Sequence, residues 1–299
     1  MLPSVNVKSV PVPERVPYGA AALAVASLAM FPAADALAKS LADHLGVLVI
    51  VWARLLGSAV LISPIWLWQR PGRPTRRAVA TEALRAVIII AAFGSFVLSF
   101  RTIPFAEAMT YYSFAPIVAS VLAVLVLKER MTAARTLALM LGLIGVLVAL
   151  NPGATPAVGA YFAMLTGCLY GGYLFLNRVV AVRWHPIQAL FLQFWIGAIL
   201  LTPLVWAQLG PHVVEYLPRL AAIAGVSVIC NVLLIYAFRM AEASFLAPFM
   251  YIEIPSALLM AVVFLGEIPS LNLLLGAAMI LGAGLLVIRP PRASQMNGK

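Results

Sequence analysis

The sequence predicts an all-α integral membrane protein: ten transmembrane helices arranged as two inverted five-helix repeats. Three observations lead there. Of the 299 residues, 64% are hydrophobic and only 10% charged, where a soluble domain carries about 25% charged residues. Apolar runs long enough to cross a bilayer recur along the whole chain, at about 20 residues per 30 Å of hydrocarbon. Landmarks of the first half also return in the second at a near-constant spacing, with the surrounding charges reversed.

The ten apolar runs are 18–38, 46–68, 82–100, 105–127, 134–151, 157–177, 186–208, 219–238, 245–266 and 269–288. Pro and Gly punctuate the connections, as in RPGRP at 70–74, NPG at 151–153, GP at 210–211 and RPP at 289–291. The linkers leave no room for a soluble domain. The organisation is therefore a tail over 1–17, one repeat over 18–152, a second over 153–290, and a tail over 291–299. The first run imitates a secretion signal, with Lys8 and Arg15 before it and Ala-Leu-Ala at 36–38. It is longer than a signal core and completes the first repeat, so it reads as a retained span.

The positive charges orient the chain. With both termini cytoplasmic, the inner segments hold Lys8, Arg15, Arg70, Arg73, Arg76, Arg77, Arg85, Lys128, Arg130, Arg135, Arg178, Arg183, Arg239, Arg289, Arg292 and Lys299. The outer segments hold only Lys39, Arg101 and Arg219, with Arg54 left in the membrane. That bias follows the positive-inside rule. The net charge of +10 is thus spread through short loops, not gathered into a face for nucleic acid. Cys168 and Cys230 lie inside apolar runs and read as core residues rather than a disulfide.

Phe100-Arg101 answers Phe238-Arg239, Glu129 answers Glu267 and Pro152 answers Pro290. Gly19-Ala20 answers Gly159-Ala160, Gly57 answers Gly197, and Pro116 answers Pro255 after a one-residue slip. Five spans per half invert the second copy. The turn after Glu129 carries Lys128, Arg130 and Arg135, whereas GEIPSLN at 266–272 has no Lys or Arg.

AEAMTYYSFAPIVASVLAVLVLKER followed by LALMLGLIGVLVALNPG resembles the drug/metabolite transporter superfamily, and more closely its bacterial EamA-type exporters. APFMYIEIPSALLMAVVFLGE closing with LLLGAAMILGAGLLVI is the second copy. The resemblance implies export of amino acids or related metabolites from the bacterial inner membrane. It carries Glu129 and Glu267 over as turn residues, and Pro116 and Pro255 as helix-shaping ones. The first helix departs from the family, with Phe31-Pro32 where a tryptophan and a glycine are usual.

Ionisable groups inside a membrane run are costly and face a cavity or a partner. Arg54, about 12 Å from the outer end of its run at 1.5 Å per residue, either grips a substrate carboxylate or pairs with Asp35 or Glu107. Glu253 lies two residues before Pro255, with no cation adjacent in sequence; it reads as a substrate or proton group, too far in depth to meet Arg54 easily. Asp35 is expected to pair with Lys39 at i+4. Glu107, Tyr111, Phe114 and Val118 share one helical face, expected to line a wet cavity. Ser95 and Ser99 share a face of the third run, as pore or packing residues. Tyr173, Trp195 and Tyr251 lie deep, beside Tyr170 and Tyr236, able to stack on a solute or to fill space. Trp66, Trp68, Trp184 and Trp206 sit near run ends, as in interface belts. Pro32, Pro116 and Pro255, with Pro64, Pro203 and Pro248, are candidate kinks. Gly167 and Gly171 form a Gly-x-x-x-Gly packing pattern.

No phosphate loop, catalytic group or metal-ligand spacing is visible, which argues against an enzyme and implies no cofactor. A small-molecule substrate and membrane lipid are the expected partners. Protons are a candidate coupling ion, monomer and homo-oligomer stay open, and organic cations, nucleosides or a passive channel are the alternative readings.

Overall fold

The computed structural model describes residues 18–113, 115–128, 133–150, 157–268 and 270–288. Glu129, Phe114, Pro152, Pro290, the two tails and the Pro248 side chain lie outside the described residues. Everything described is helix, turn or short connection, as hydrocarbon demands: backbone N–H and C=O groups find no water there and must bond within the segment.

The helices are α1 (Tyr18–Leu41), α2 (Val47–Gln69), α3 (Arg76–Ser99), α4 (Phe105–Tyr112), α5 (Ala115–Leu127), α6 (Ala133–Leu150) and α7 (Val158–Arg183). They continue with α8 (Pro186–Val205), α9 (Pro211–Glu215), α10 (Leu217–Met240), α11 (Ala243–Leu246), α12 (Glu253–Leu265) and α13 (Leu271–Ile288). Local chemistry sets several ends. Arg70 takes a left-handed conformation (φ 41°) and its N–H returns to the Trp66 carbonyl, closing α2. The Thr75 hydroxyl accepts from the Ala78 N–H at 3.2 Å and opens α3. Gly266, at φ 65°, closes α12, a conformation that costs a glycine nothing.

Among the described residues, seven helices are long and apolar enough to cross a bilayer, counting Phe105–Leu127 as one. Shorter apolar stretches follow at Thr136–Gly145 and Phe249–Leu265. The apolar run 105–127 is divided, with α4 ending at Tyr112 and α5 starting at Ala115, one residue before Pro116. The run 245–266 is divided too: a tighter 3-10 segment, Ala247–Ile252, leads into α12, where Pro255 is the third residue. Pro32, Pro64 and Pro203 sit inside unbroken helices.

Two sequence expectations change here. α3 begins at Arg76, not at 82, and takes Arg85 into the interior, fully buried. Arg178 is likewise buried on α7, donating to the Phe238 carbonyl at 2.6 Å. Both were counted with the inner loops. Long guanidinium stems let apolar windows end early in a sequence while the helix continues through them.

α1 packs along α10, α3 along α7, α2 along α8 and α6 along α13. α4 and α5 lie on α7, while α12 and the 3-10 segment lie on α1. Small residues permit the close approaches: a methyl group on Gly171 would sit 2.6 Å from Val118 Cβ and 2.7 Å from the Ala115 carbonyl. One on Gly57 would sit 2.5 Å from Ala224 Cβ. Helix association in lipid relies on such contacts, since burying apolar surface gains little there.

Gly171→Ala is expected to lower stability by about 1–3 kcal/mol, because the obstructing atoms include backbone. Gly225→Ala, which meets nothing within 4 Å on α10, serves as the neutral control. Thermal unfolding of both variants in detergent compares them directly.

Candidate functional site

Two small hollows lie in the bundle interior and share Tyr112 and Tyr170. One is bounded by the break after α4 and the start of α12, with Ser113, Pro116, Tyr251 and Glu253 in its wall. The other reaches α1 through Phe31 and Asp35, α3 through Phe93 and Phe96, and α7 through Thr166. Both broken helices therefore present their interruptions to the interior rather than to lipid, the only tolerable place for irregular backbone at that depth.

Arg54 Nη1 donates to Asp35 Oδ1 at 2.7 Å, and both residues are buried. Its guanidinium carbon lies 3.9 Å from the Phe93 ring centre and 5.9 Å from that of Phe31. Cation–ring contacts of this kind strengthen once desolvated. Arg54 Nε and Nη2 have no partner. Asp35 is thus committed to Arg54, not to Lys39 as expected. Lys39 pairs instead with Glu267, whose carboxylate also accepts from the Phe105 and Ala106 N–H groups at 3.2 and 3.4 Å. Lys39 stands one turn nearer the helix end, where Glu267 comes within reach; Asp35 faces inward. Glu267 therefore caps α4 with negative charge at the positive end of its dipole.

Glu253 is buried, and its Oε1 has no hydrogen-bond partner. It hydrogen-bonds with Tyr112, and the charges of Asp35 and Arg54 act on it. If all three charges are ionised, two carboxylates face one guanidinium, and the cluster carries an excess of one negative charge.

The remaining expected residues divide. Tyr251 is buried in the first hollow, its hydroxyl unpartnered, its ring seated where a side chain on Gly142 would overlap it. Glu107 and Tyr111 are half-buried and lie outside both hollows, which Tyr112 enters in Tyr111's place. The shared face from 107 to 118 presumes one continuous helix; the interruption after Tyr112 ends that register, and Val118 packs on Gly171. Ser99 donates to the Phe96 carbonyl at 2.6 Å, and Ser95 is buried on the same helix. Trp195 Nε1 donates to Ser63 Oγ at 3.1 Å between α8 and α2, away from the hollows. Trp66 stacks on Phe191 at 4.4 Å, whereas Trp68 and Trp206 are exposed.

Tyr173 is buried in a polar group that the sequence reading missed. Its hydroxyl meets Gln193, Asn231 and Arg85. Arg85 binds Glu82 Oε2 at 2.5 Å and Asn177 Oδ1. The signal was present: Glu82 and Arg85 stand at i and i+3 on a helix whose next residues are apolar.

An all-helical, multi-pass membrane protein with a polar, charged interior is the class that these features define. The EamA-like transporter family model matches the chain twice, over residues 19–151 and 157–289, and the chain belongs to that family. It is a transporter of the drug/metabolite superfamily, not an enzyme. It is 24% identical to an S-adenosylmethionine uptake transporter of Rickettsia bellii, covering 88% of this chain and 90% of that one. It is 24% identical to a riboflavin transporter of Brucella anthropi, covering 70% and 76%. A solved crystal structure shares the fold at TM-score 0.72 and 18% identity, over 90% of this chain and 97% of that one.

Asp35→Asn is expected to destabilise the protein by about 1–3 kcal/mol, because it removes the charge from the carboxylate hydrogen-bonded to the buried Arg54 guanidinium. Asp35→Asn with Arg54→Gln should recover part of that loss. A double-mutant cycle of thermal midpoints in detergent measures the coupling.

Proposed function

We propose that this chain is a secondary active transporter of small zwitterionic metabolites, amino acids or their derivatives, exporting them by alternating access. Opposed free groups on one buried cluster carry the reading. Arg54 Nε and Nη2 and Glu253 Oε1 are buried without partners, and an α-amino acid offers a carboxylate to the first and an ammonium to the second. Charge-assisted bonds to both ends would select the zwitterion, and Tyr112 and Tyr170 add ring faces for a side chain or a cation. The Rickettsia relative is named for S-adenosylmethionine, a solute with an amino-acid end, which fits the same cluster. The hollows are small, so entry of a solute requires that the helices part.

Two inverted halves, 18–152 and 153–290, would supply that motion across ten spans. The packing supports it: exchanging each helix for its counterpart turns α1 on α10 into α7 on α3 and returns α2 on α8 and α6 on α13 to themselves. The interruptions ahead of Pro116 and Pro255 fall at matched places. Rocking of one half against the other would expose the cluster first to one side, then to the other. The loop charges favour both termini inside a bacterial cytoplasmic membrane.

Counterflow in proteoliposomes with the twenty L-amino acids, S-adenosylmethionine, riboflavin and tetraphenylphosphonium tests the substrate class. Exchange of amino acids is expected, and exchange of the phosphonium alone would reject it. Comparing right-side-out with inside-out vesicles settles direction, an open contest because the Rickettsia relative is an uptake protein. Glu253→Gln should impair transport or abolish its pH response; wild-type rate and pH response would remove Glu253 from the mechanism. Arg54→Ala should raise KM for an amino acid over that for its methyl ester by about ten- to a hundredfold, the worth of a charge-assisted bond. Thiol labelling beside Glu129 and Glu267 should find them on opposite sides of the membrane.

A further inference from the structure

Arg54 lies seven residues into α2 and Arg85 nine residues into α3, about 10 and 13 Å deep at 1.5 Å per residue. α2 ends where α3 begins, so the two arginines enter from opposite ends of the bundle. Each has a protein carboxylate on it, Asp35 or Glu82, and each has an aromatic ring beneath it, Phe93 or Tyr173. Between them runs a line of rings: Phe96 to Tyr112 at 5.4 Å, Tyr112 to Tyr170 at 5.2 Å and Tyr170 to Tyr173 at 5.7 Å. Tyr112 and Tyr170 border both hollows.

Glu82 and Arg85 are both fully buried, and Glu82 Oε1 and Arg85 Nε lack partners. A buried ion pair stabilises no better than apolar side chains of the same volume, so folding alone gives little reason for it. We propose that Arg85 is a second carboxylate-binding site on the translocation path, with Glu82 as the resident carboxylate that the solute displaces. This rests on the zwitterion reading above. On export the solute carboxylate first replaces Glu82 on Arg85, passes along the tyrosine faces, and returns Arg85 to Glu82 as it reaches Arg54 beside Asp35. Each guanidinium keeps a carboxylate throughout, and the solute ammonium answers the carboxylate that is displaced, in a medium where an unpaired charge is most costly. Asn177 and Tyr173 hold Arg85 in place during the exchange.

Glu82→Gln keeps the shape of the side chain but removes the competing charge. The amino acids of the counterflow panel are the probes, with the full chain in proteoliposomes. KM should fall roughly tenfold and the maximal rate should fall with it, since a solute bound more tightly by about 1.4 kcal/mol leaves more slowly. Arg85→Gln should instead raise KM. If Glu82→Gln is not recovered from membranes, Glu82→Asp, which shortens the reach to Arg85, should shift KM in the same direction. An unchanged or raised KM in the Glu82 variant, with a lowered thermal midpoint, overturns the proposal and leaves a structural pair. Wild-type protein that exchanges none of the amino acids overturns the zwitterion reading itself, and this site with it.

Discussion

A charge inside the bilayer has no water to fall back on, and the organisation of this protein follows from that. Asp35 answers Arg54 and Glu82 answers Arg85, each at hydrogen-bond distance and each buried. The two helix interruptions turn inward for the same reason: their freed carbonyls need polar company that lipid does not offer. Once these groups are gathered along the bundle axis, the outer surfaces are left free to be apolar. Val60, Leu125, Ile199 and Val263 are exposed where the surroundings are hydrocarbon.

Matching charge would also allow the interior to rearrange in the transport cycle proposed above. A core of interlocking aliphatic side chains resists rearrangement at every contact. A guanidinium can pass from one carboxylate to another, losing little as long as an acceptor is always at hand. Arg54 stands within the influence of both Asp35 and Glu253, and Glu253 is carried on a segment whose first turns are 3-10 rather than α. The looser backbone and the spare carboxylate occur in one place.

The fold was largely legible in the sequence because membrane helices announce themselves by length and composition, and the prolines at 116 and 255 marked the interrupted segments. The Asp35–Arg54 pair was one of two pairings left open. What escaped the reading did so for specific reasons. Glu82 and Arg85 stood at the edge of an apolar window, where a hydropathy count ends a span, though the helix runs on from Arg76. Tyr111 was favoured over Tyr112 by a periodicity that the break after α4 cuts short. Side-chain partners across 19 or more residues of chain, such as Lys39 with Glu267, depend on how helices meet in space, and spacing along one helix does not contain that.

Glu267 joins three parts of the chain at one point: the end of α1, the start of α4 and its own turn. Two of its three ties go to main-chain N–H groups, so this clasp is blind to what side chains sit at 105 and 106. What limits those positions is packing instead: Phe105 is fully buried against Phe100 and Ala106 is buried beside it. Proline alone, having no N–H to give, would undo the clasp, and the chain places its own proline one residue earlier, at Pro104, where no such tie is made.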